Sequence, residues 1–80
     1  MTVVEAYVLV NCEAGKSWKI VEVACKMLNV KMAHAVTGEY DVIAYIDFTD
    51  MDALTEILGK FQTMEGVERT HTAVAIPSIK

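Results

Sequence analysis

Residues 37–47 read TGEYDVIAYID, a polar corner with one glycine followed by a run of β-branched and aromatic residues. The run continues to Phe48 and is typical of a β-strand, so we predict a strand over residues 42–48. Successive side chains of a strand point to opposite faces of its sheet. Here both faces are apolar, with Val42, Ala44, Ile46 and Phe48 on one and Ile43 and Tyr45 on the other. Such a strand must be covered on both sides.

The residues before and after this strand predict three more strands and two helices. Their β-branched and aromatic content places the strands at residues 3–11, 30–37 and 67–76. Ser17 is the predicted N-cap of the first helix, which is expected to end near Asn29. Helical spacing assigns its apolar stripe to Val21, Ala24, Cys25 and Leu28.

The second helix carries a clearer amphipathic pattern. Thr49 and Asp52 have the spacing of a capping box, and Gly66 is expected to end the helix. Its apolar stripe is Leu54, Ile57, Leu58 and Phe61. The full order is strand, helix, strand, strand, helix, strand. It predicts one α+β domain with the ferredoxin-like βαββαβ fold, in which two helices cover one face of an antiparallel four-stranded sheet.

The first strand is also apolar on both faces. It places Ala6, Val8 and Val10 on one face and Tyr7 and Leu9 on the other. The chain has 80 residues, of which 54% are hydrophobic and 22% charged, a rich apolar content for a small domain. Because the helices cover only one face, we predict that the other meets a second copy, giving a homodimer of the dimeric α+β barrel type.

Charge and composition exclude several classes of function. Seven basic and eleven acidic residues give a net charge of −4 without a basic cluster, which argues against direct DNA binding. No apolar run approaches the roughly 20 residues needed to span a bilayer, and the N-terminus lacks the features of a signal peptide. Cys12 and Cys25 do not form a CxxC pair and are interpreted as reduced thiols, with Cys25 packed on its helix. A cytoplasmic location is therefore expected.

Three segments of the chain resemble one protein family. VTGEYDVIAYID (36–47) is similar to the V-T-G-x-Y-D-hydrophobic signature of the effector-binding (RAM) domain of Lrp/AsnC transcriptional regulators. MEGVERTHTAVAI (64–76) resembles the closing P-G-V-x-R-T-x-T segment, with Glu65 where the family often has proline. LNVKMAHAVTG (28–38) parallels the family's helix end and second strand. The resemblance spans nearly the whole chain.

The resemblance implies a function in transcription regulation. Domains of this family dimerise through the sheet, and the dimers assemble into higher oligomers that bind amino acids. Full-length members also carry an N-terminal helix-turn-helix, whereas this chain begins at the first strand of the effector domain. It is therefore expected to be a stand-alone amino-acid-sensing module, residues 1–80, without a DNA-binding domain. Full-length Lrp/AsnC-type regulators are further candidate partners.

The corner at Gly38, Glu39, Tyr40 and Asp41 is the predicted ligand site. Glycine permits a left-handed backbone, which leaves backbone amides free to point at a carboxylate. Asp41 is an acceptor for an α-ammonium group, and Tyr40 can wall the space. The alternative interpretation is a tight turn in which Asp41 bonds its own backbone.

Thr70, Thr72 and His34 are added to the predicted ligand site. The two threonines alternate with Arg69 and His71, so their hydroxyls share one face of the last strand. The resembling family uses that segment near its effector, although β-propensity alone also explains two threonines. His34 lies shortly before the corner, and a satisfied, partly buried histidine is its alternative interpretation.

The sequence predicts no catalytic residue, metal site or cofactor. Neither His34 nor His71 has a second metal-ligating residue two positions away. Two alternatives to the sensor stay open. One is a cofactor-independent or haem-degrading monooxygenase of the same barrel type, which would need Asn11, Trp18, His34 and His71 to converge. The other is a ligand-free assembly module that co-oligomerises with full-length regulators.

Overall fold

A computed structural model describes residues 3–76. Its elements are β1 (Val4–Cys12), α1 (Ser17–Cys25), β2 (Val30–Ala35), β3 (Val42–Phe48), α2 (Met51–Gln62) and β4 (Val67–Val74). The strands form one antiparallel sheet in the order β2-β3-β1-β4. The predicted ferredoxin-like architecture is confirmed. The central strand β3 has the predicted bounds, while β2 and β4 each end two residues earlier than predicted.

The strand register separates two faces of the sheet, because residues directly opposite each other in a ladder point to the same side. Val8 of β1 is paired with Ala44 of β3 and with Thr72 of β4. This face, which we call the covered face, packs against both helices. Its β1 and β3 residues are largely buried, and α1 and α2 add Ile20, Ala24, Leu54, Ile57 and Phe61 to the same core. Burial of each large apolar side chain contributes about 1.5–3 kcal/mol to folding.

The opposite side, which we call the open face, is not covered by either helix. Leu9 is paired there with Ile43 and His71, and Tyr7 with Tyr45 and Ala73. The rings of Tyr7 and Tyr45 lie 5.1 Å apart, and Tyr7 remains 38% exposed. A hydrogen bond with Glu5, followed by desolvation, raises the pKa of Tyr45 to about 12. Both faces of the central strands are therefore apolar at their centre, as the alternation predicts.

Helix α1 differs from the prediction at both ends. Ser17 is its first helical residue, and Lys16 occupies the N-cap without a side-chain hydrogen bond. The helix ends at Cys25, where the Lys26 and Met27 amides turn back to the carbonyls three residues earlier. The helical spacing therefore does not extend to Leu28, which is 99% exposed.

The predicted apolar stripe of α1 is wrong in part for the same reason. Ile20 and Ala24 are its buried residues, Val21 is half-buried, and Cys25 is exposed instead of packed. Of the two thiols, Cys12 is the buried one.

Helix α2 keeps its predicted stripe but not its predicted cap. Leu54, Ile57 and Phe61 are buried, and Leu58 is half-buried. The N-cap is Asp50, one residue after Thr49, because Asp50 has an extended backbone and its Oδ1 accepts the Ala53 amide at 2.8 Å. The helix ends at Gln62, four residues before Gly66.

Gly66 is required in the turn that leads into β4. Its φ is +92°, and an added Cβ would lie 2.8 Å from Cγ of Lys16. Neither helix within residues 3–76 is long and apolar enough to cross a bilayer.

Candidate functional site

The predicted corner connects β2 to β3 and is tied to the end of β1. It is closed at its base by the Val36 amide, which donates to the Asp41 carbonyl at 2.9 Å. The Asp41 amide donates to the Val10 carbonyl of β1, also at 2.9 Å. Gly38 has a φ of +110°, in the region that favours glycine, and the space where a Cβ would lie is open. The corner is therefore a fixed loop with an unobstructed outer side.

One oxygen of the Asp41 carboxylate accepts a hydrogen bond from elsewhere in the fold. Its Oδ2 accepts the Cys12 amide at 2.9 Å, at the point where the pairing of β1 with β4 shifts register between Asn11 and Cys12. The donor belongs to β1, so this hydrogen bond is not the one within its own turn that the alternative interpretation of Asp41 expects. An ionised carboxylate has about four acceptor positions, so Asp41 keeps capacity for a cationic partner.

The Cys12 thiol lies against the same carboxylate. Burial, followed by the negative charges of Asp41 and Glu68, raises the pKa of this thiol above its usual value. The thiol is therefore held protonated at neutral pH and is a poor nucleophile. Cys12 acts in the site through its backbone amide, which orients Asp41.

Three consecutive backbone amides of the corner are unbonded within the described residues. The amides of Gly38, Glu39 and Tyr40 donate no hydrogen bond to another atom of residues 3–76. Consecutive outward-pointing amides form a concavity that binds anions. The corner therefore offers both kinds of group that a zwitterion needs, amide donors and a carboxylate acceptor.

A cleft of about 400 Å³ opens beside the corner. We call it the corner cleft, and it is lined by Asn11, Glu39, Tyr40, Arg69 and His71. Asn11 donates from Nδ2 to the Glu39 carbonyl at 2.7 Å, which joins β1 to the corner. The ring of Tyr40 meets the ring of His71 edge-on, with centroids 5.7 Å apart. Tyr40 therefore forms part of the wall of this cleft.

The corner cleft lies at one end of the open face. Arg69 is paired with Asn11, and His71 with Leu9, whose side chain belongs to the open face. The sequence prediction of ligand residues did not include Asn11, Arg69 or His71. The alternation of β4 shows that Arg69 and His71 share a face, but only the pairing register shows that this face leads to the corner.

Thr70 and Thr72 share a face, as predicted, but it is the covered face. They are paired with Val10 and Val8, and both are half-buried. The Oγ1 of Thr70 accepts a hydrogen bond from Nε2 of Gln62, a residue of α2, at 3.4 Å. Within one chain, the threonine hydroxyls therefore lie on the opposite side of the sheet from the corner cleft.

His34 lies on β2, at the far edge of the sheet from β4. It is paired with Ile43 on the open face and is exposed. It does not line the corner cleft. Two of the four corner residues, Glu39 and Tyr40, line the corner cleft, whereas Gly38 and Asp41 do not. His34 and the two threonines of the same chain lie away from the cleft.

The residues of the monooxygenase alternative do not converge within one chain. Asn11 and His71 line the corner cleft, while His34 lies on the opposite edge strand. Trp18 is on α1 and is 76% exposed, on the helix side of the sheet.

A second cleft, of about 190 Å³, lies on the helix side of the molecule. It is lined by Lys19, Ile20, Val23, Met64 and Glu65, and its floor is mostly apolar. It contains no residue of the predicted ligand site.

The chain is similar in sequence to a known family of ligand-binding domains. A sequence model of the Lrp/AsnC ligand binding domain matches residues 5–80. The HTH-type transcriptional regulator FL11 of Pyrococcus furiosus is 28% identical over 71 residues, which cover 89% of this chain and 47% of that protein. The chain spans about half the length of the curated relatives it matches.

Solved structures with the same fold include one of similar length. TTHA0845 from Thermus thermophilus superposes with a TM-score of 0.89 at 27% identity, over 96% of this chain and 98% of that chain. The transcriptional regulator NMB0573 of Neisseria meningitidis, solved as a complex with L-Met, superposes with a TM-score of 0.80 at 25% identity. That match covers 96% of this chain and 52% of the regulator.

Proposed function

Because this chain belongs to the Lrp/AsnC ligand-binding domain family, we propose that it is an amino-acid-sensing and oligomerisation domain that binds its effector at the corner. One observation carries the proposal. The corner holds amides that are unbonded within residues 3–76 and a carboxylate with acceptor capacity, and its residues Glu39 and Tyr40 line a cleft of about 400 Å³. A free amino acid carries the complementary pair of charges.

In the proposed complex, the α-carboxylate accepts hydrogen bonds from the amides of Gly38, Glu39 and Tyr40. The α-ammonium donates to Asp41, whose position is held by the Cys12 amide. Hydrogen bonds to charged groups contribute about 1.5–3 kcal/mol each. The ligand's side chain then extends into the corner cleft, past the ring of Tyr40.

The methionine complex of the Neisseria meningitidis regulator supports an amino acid as the ligand class. That protein was solved with L-Met and has the same fold over nearly all of this chain. The corner chemistry recognises the part that all amino acids share, so the same class of ligand is proposed here. No enzymatic step is part of the proposal, because the relatives are transcription regulators and the domain is a ligand-binding one.

A subunit interface is the proposed setting of the site. The open face has an apolar centre at Tyr7, Leu9, Ile43 and Tyr45, and the corner cleft lies at its margin. A second copy packed on this face would shield the cleft from water. Thr70, Thr72 and His34 lie away from the cleft of their own chain, so their proposed contact with the ligand requires a neighbouring subunit.

The experiment is calorimetric titration of ligand-free protein with each of the twenty amino acids. Asp41→Asn removes the negative charge but keeps an oxygen that can accept the Cys12 amide. We expect it to weaken binding by about 1.5–3 kcal/mol, which is roughly 10- to 150-fold. Asp52→Asn, an exposed carboxylate change in the first turn of α2, is the control and should bind as the unmodified protein does.

Two results would contradict this site. One is the absence of binding to every amino acid, and the other is unchanged affinity in Asp41→Asn. Assembly without any ligand binding would instead support the ligand-free assembly module.

A further inference from the structure

Arg69 lines the corner cleft and forms no ion pair within residues 3–76. The ion pairs within residues 3–76 join lysines to Glu65, Glu22 and Asp47, and none of them involves Arg69. Arg69 is exposed and lines the cleft, so its guanidinium offers five donors to whatever enters. Among the described residues that line the cleft, Arg69 is the one lysine or arginine side chain.

The other lining groups add hydrogen-bond donors near Arg69. The Asn11 amide uses one N–H on the Glu39 carbonyl and retains a second. The hydroxyl of Tyr40 and the ring of His71 complete the wall. Glu39 is the acidic residue of the lining, and it forms no ion pair with Arg69 within 4.0 Å. Within the described residues, Arg69 therefore shares the cleft with one carboxylate without forming an ion pair with it.

The position of Arg69 matches the end of a ligand side chain. Asp41 immediately precedes β3, and two strand spacings, roughly 10 Å, separate β3 from β4. An arginine side chain and a ligand side chain that extend toward each other can bridge that separation. An amino acid held at the corner by its backbone would thus direct its side chain toward Arg69.

We propose that Arg69 makes the corner cleft selective for an amino acid whose side chain ends in a carboxylate, such as glutamate or aspartate. This inference rests on the proposed function, since the corner must first hold the ligand's backbone. A guanidinium binds a carboxylate through two parallel charge-assisted hydrogen bonds. An apolar side chain would instead cover the guanidinium of Arg69 and leave its N–H donors without acceptors. This disfavours leucine or methionine.

The test compares glutamate with leucine by calorimetric titration of three proteins: the unmodified chain, Arg69→Met and Arg69→Lys. Arg69→Met removes the charge but keeps an unbranched side chain, and it should fold normally because Arg69 is exposed. We expect the unmodified chain to bind glutamate about 10- to 100-fold more tightly than leucine. Arg69→Met should lose that preference and keep its leucine affinity. Arg69→Lys should keep part of the preference, because it retains charge without the two-pronged geometry.

Lys60→Met is the matched control. Lys60 is an exposed cation in the last turn of α2, and its loss lowers the net charge by the same amount. This variant should retain the preference for glutamate, which separates a local contact at Arg69 from a general effect of protein charge.

The remaining outcomes overturn either the selectivity alone or the selectivity together with the corner site. Equal affinity for glutamate and leucine, or a preference that survives in Arg69→Met, overturns the selectivity while the corner site stands. Loss of both ligands in Arg69→Met also overturns it, because Arg69 would then hold the carboxylate that all amino acids share. Failure of every amino acid to bind overturns this inference together with the proposed function.

Discussion

The two faces of the sheet are built from the same four strands but hold different kinds of residue. On the covered face, Ala6, Val8 and Val10 are fully buried, and β1 and β3 contribute only apolar side chains. On the open face, apolar residues occupy the centre, while Glu5 and Asp47 lie at one end and Asn11 and Arg69 at the other. The covered face belongs to a complete apolar core. The other has the composition of an interface, with an apolar centre and a polar rim.

The corner cleft lies where the open face meets a loop, not on the covered face. The corner beside it is tied to a residue of the core, because Oδ2 of Asp41 accepts the backbone amide of Cys12, whose side chain is buried. The covered face therefore forms the rigid core, and the open face carries side chains that line the corner cleft. Three experiments test this division, in order of decreasing expected effect.

The largest effect, on the free energy of unfolding, is expected when isoleucines on opposite faces of β3 are replaced by alanine. Ile46 of β3 is fully buried on the covered face, whereas Ile43 lies on the open face and is half-buried. Ile46→Ala should lower the free energy of unfolding by about 2–5 kcal/mol, because it leaves a cavity in the core. Ile43→Ala should lower it by less, and by an amount that depends on protein concentration. Denaturant unfolding at several concentrations measures both, and equal, concentration-independent losses would contradict the division.

A charge on the open face should prevent self-association. Leu9→Asp places a carboxylate at the apolar centre of that face, opposite Ile43 and His71. Burial of an unpaired charge is unfavourable, so the dissociation constant of the proposed dimer should rise about 100-fold or more. Sedimentation velocity measures this, with Thr55→Asp on the exposed side of α2 as the control. A monomeric unmodified protein at micromolar concentration would be evidence against the dimer.

The smallest effect is a change of stability with pH at Tyr45. Its pKa is raised to about 12 from an ordinary value of 10.0, with the hydrogen bond to Glu5 as the first cause. A raised pKa means that the stabilisation is fully present below about pH 10 and is lost as the pH rises through about 12. Tyr45→Phe should reduce this alkaline loss, measured as the thermal midpoint between pH 9 and pH 12. Tyr40→Phe is the control, and an identical profile in both variants would argue against the Tyr45–Glu5 contact.

Local periodicity accounts for what was predicted correctly about the fold. The two-residue alternation of residues 42–48 places β3 within its observed bounds, and the i, i+3, i+4, i+7 spacing of α2 identifies its buried residues. These patterns depend only on neighbours in sequence. The first helix shows where this stops, because its end at Cys25 removes Leu28 from the stripe that spacing assigned to it.

The candidate site divides in the same way. The sequence alone determined the element order, the family resemblance and the corner at Gly38–Asp41. Only the tertiary structure decided that Arg69 lies opposite Asn11 beside that corner, that Thr70 and Thr72 face the helices, and that Asp41 binds the Cys12 amide. The reason is physical: alternation tells which residues of a strand share a face, but a one-residue change of register moves all of them to the other face. That register is set by packing between residues far apart in the chain.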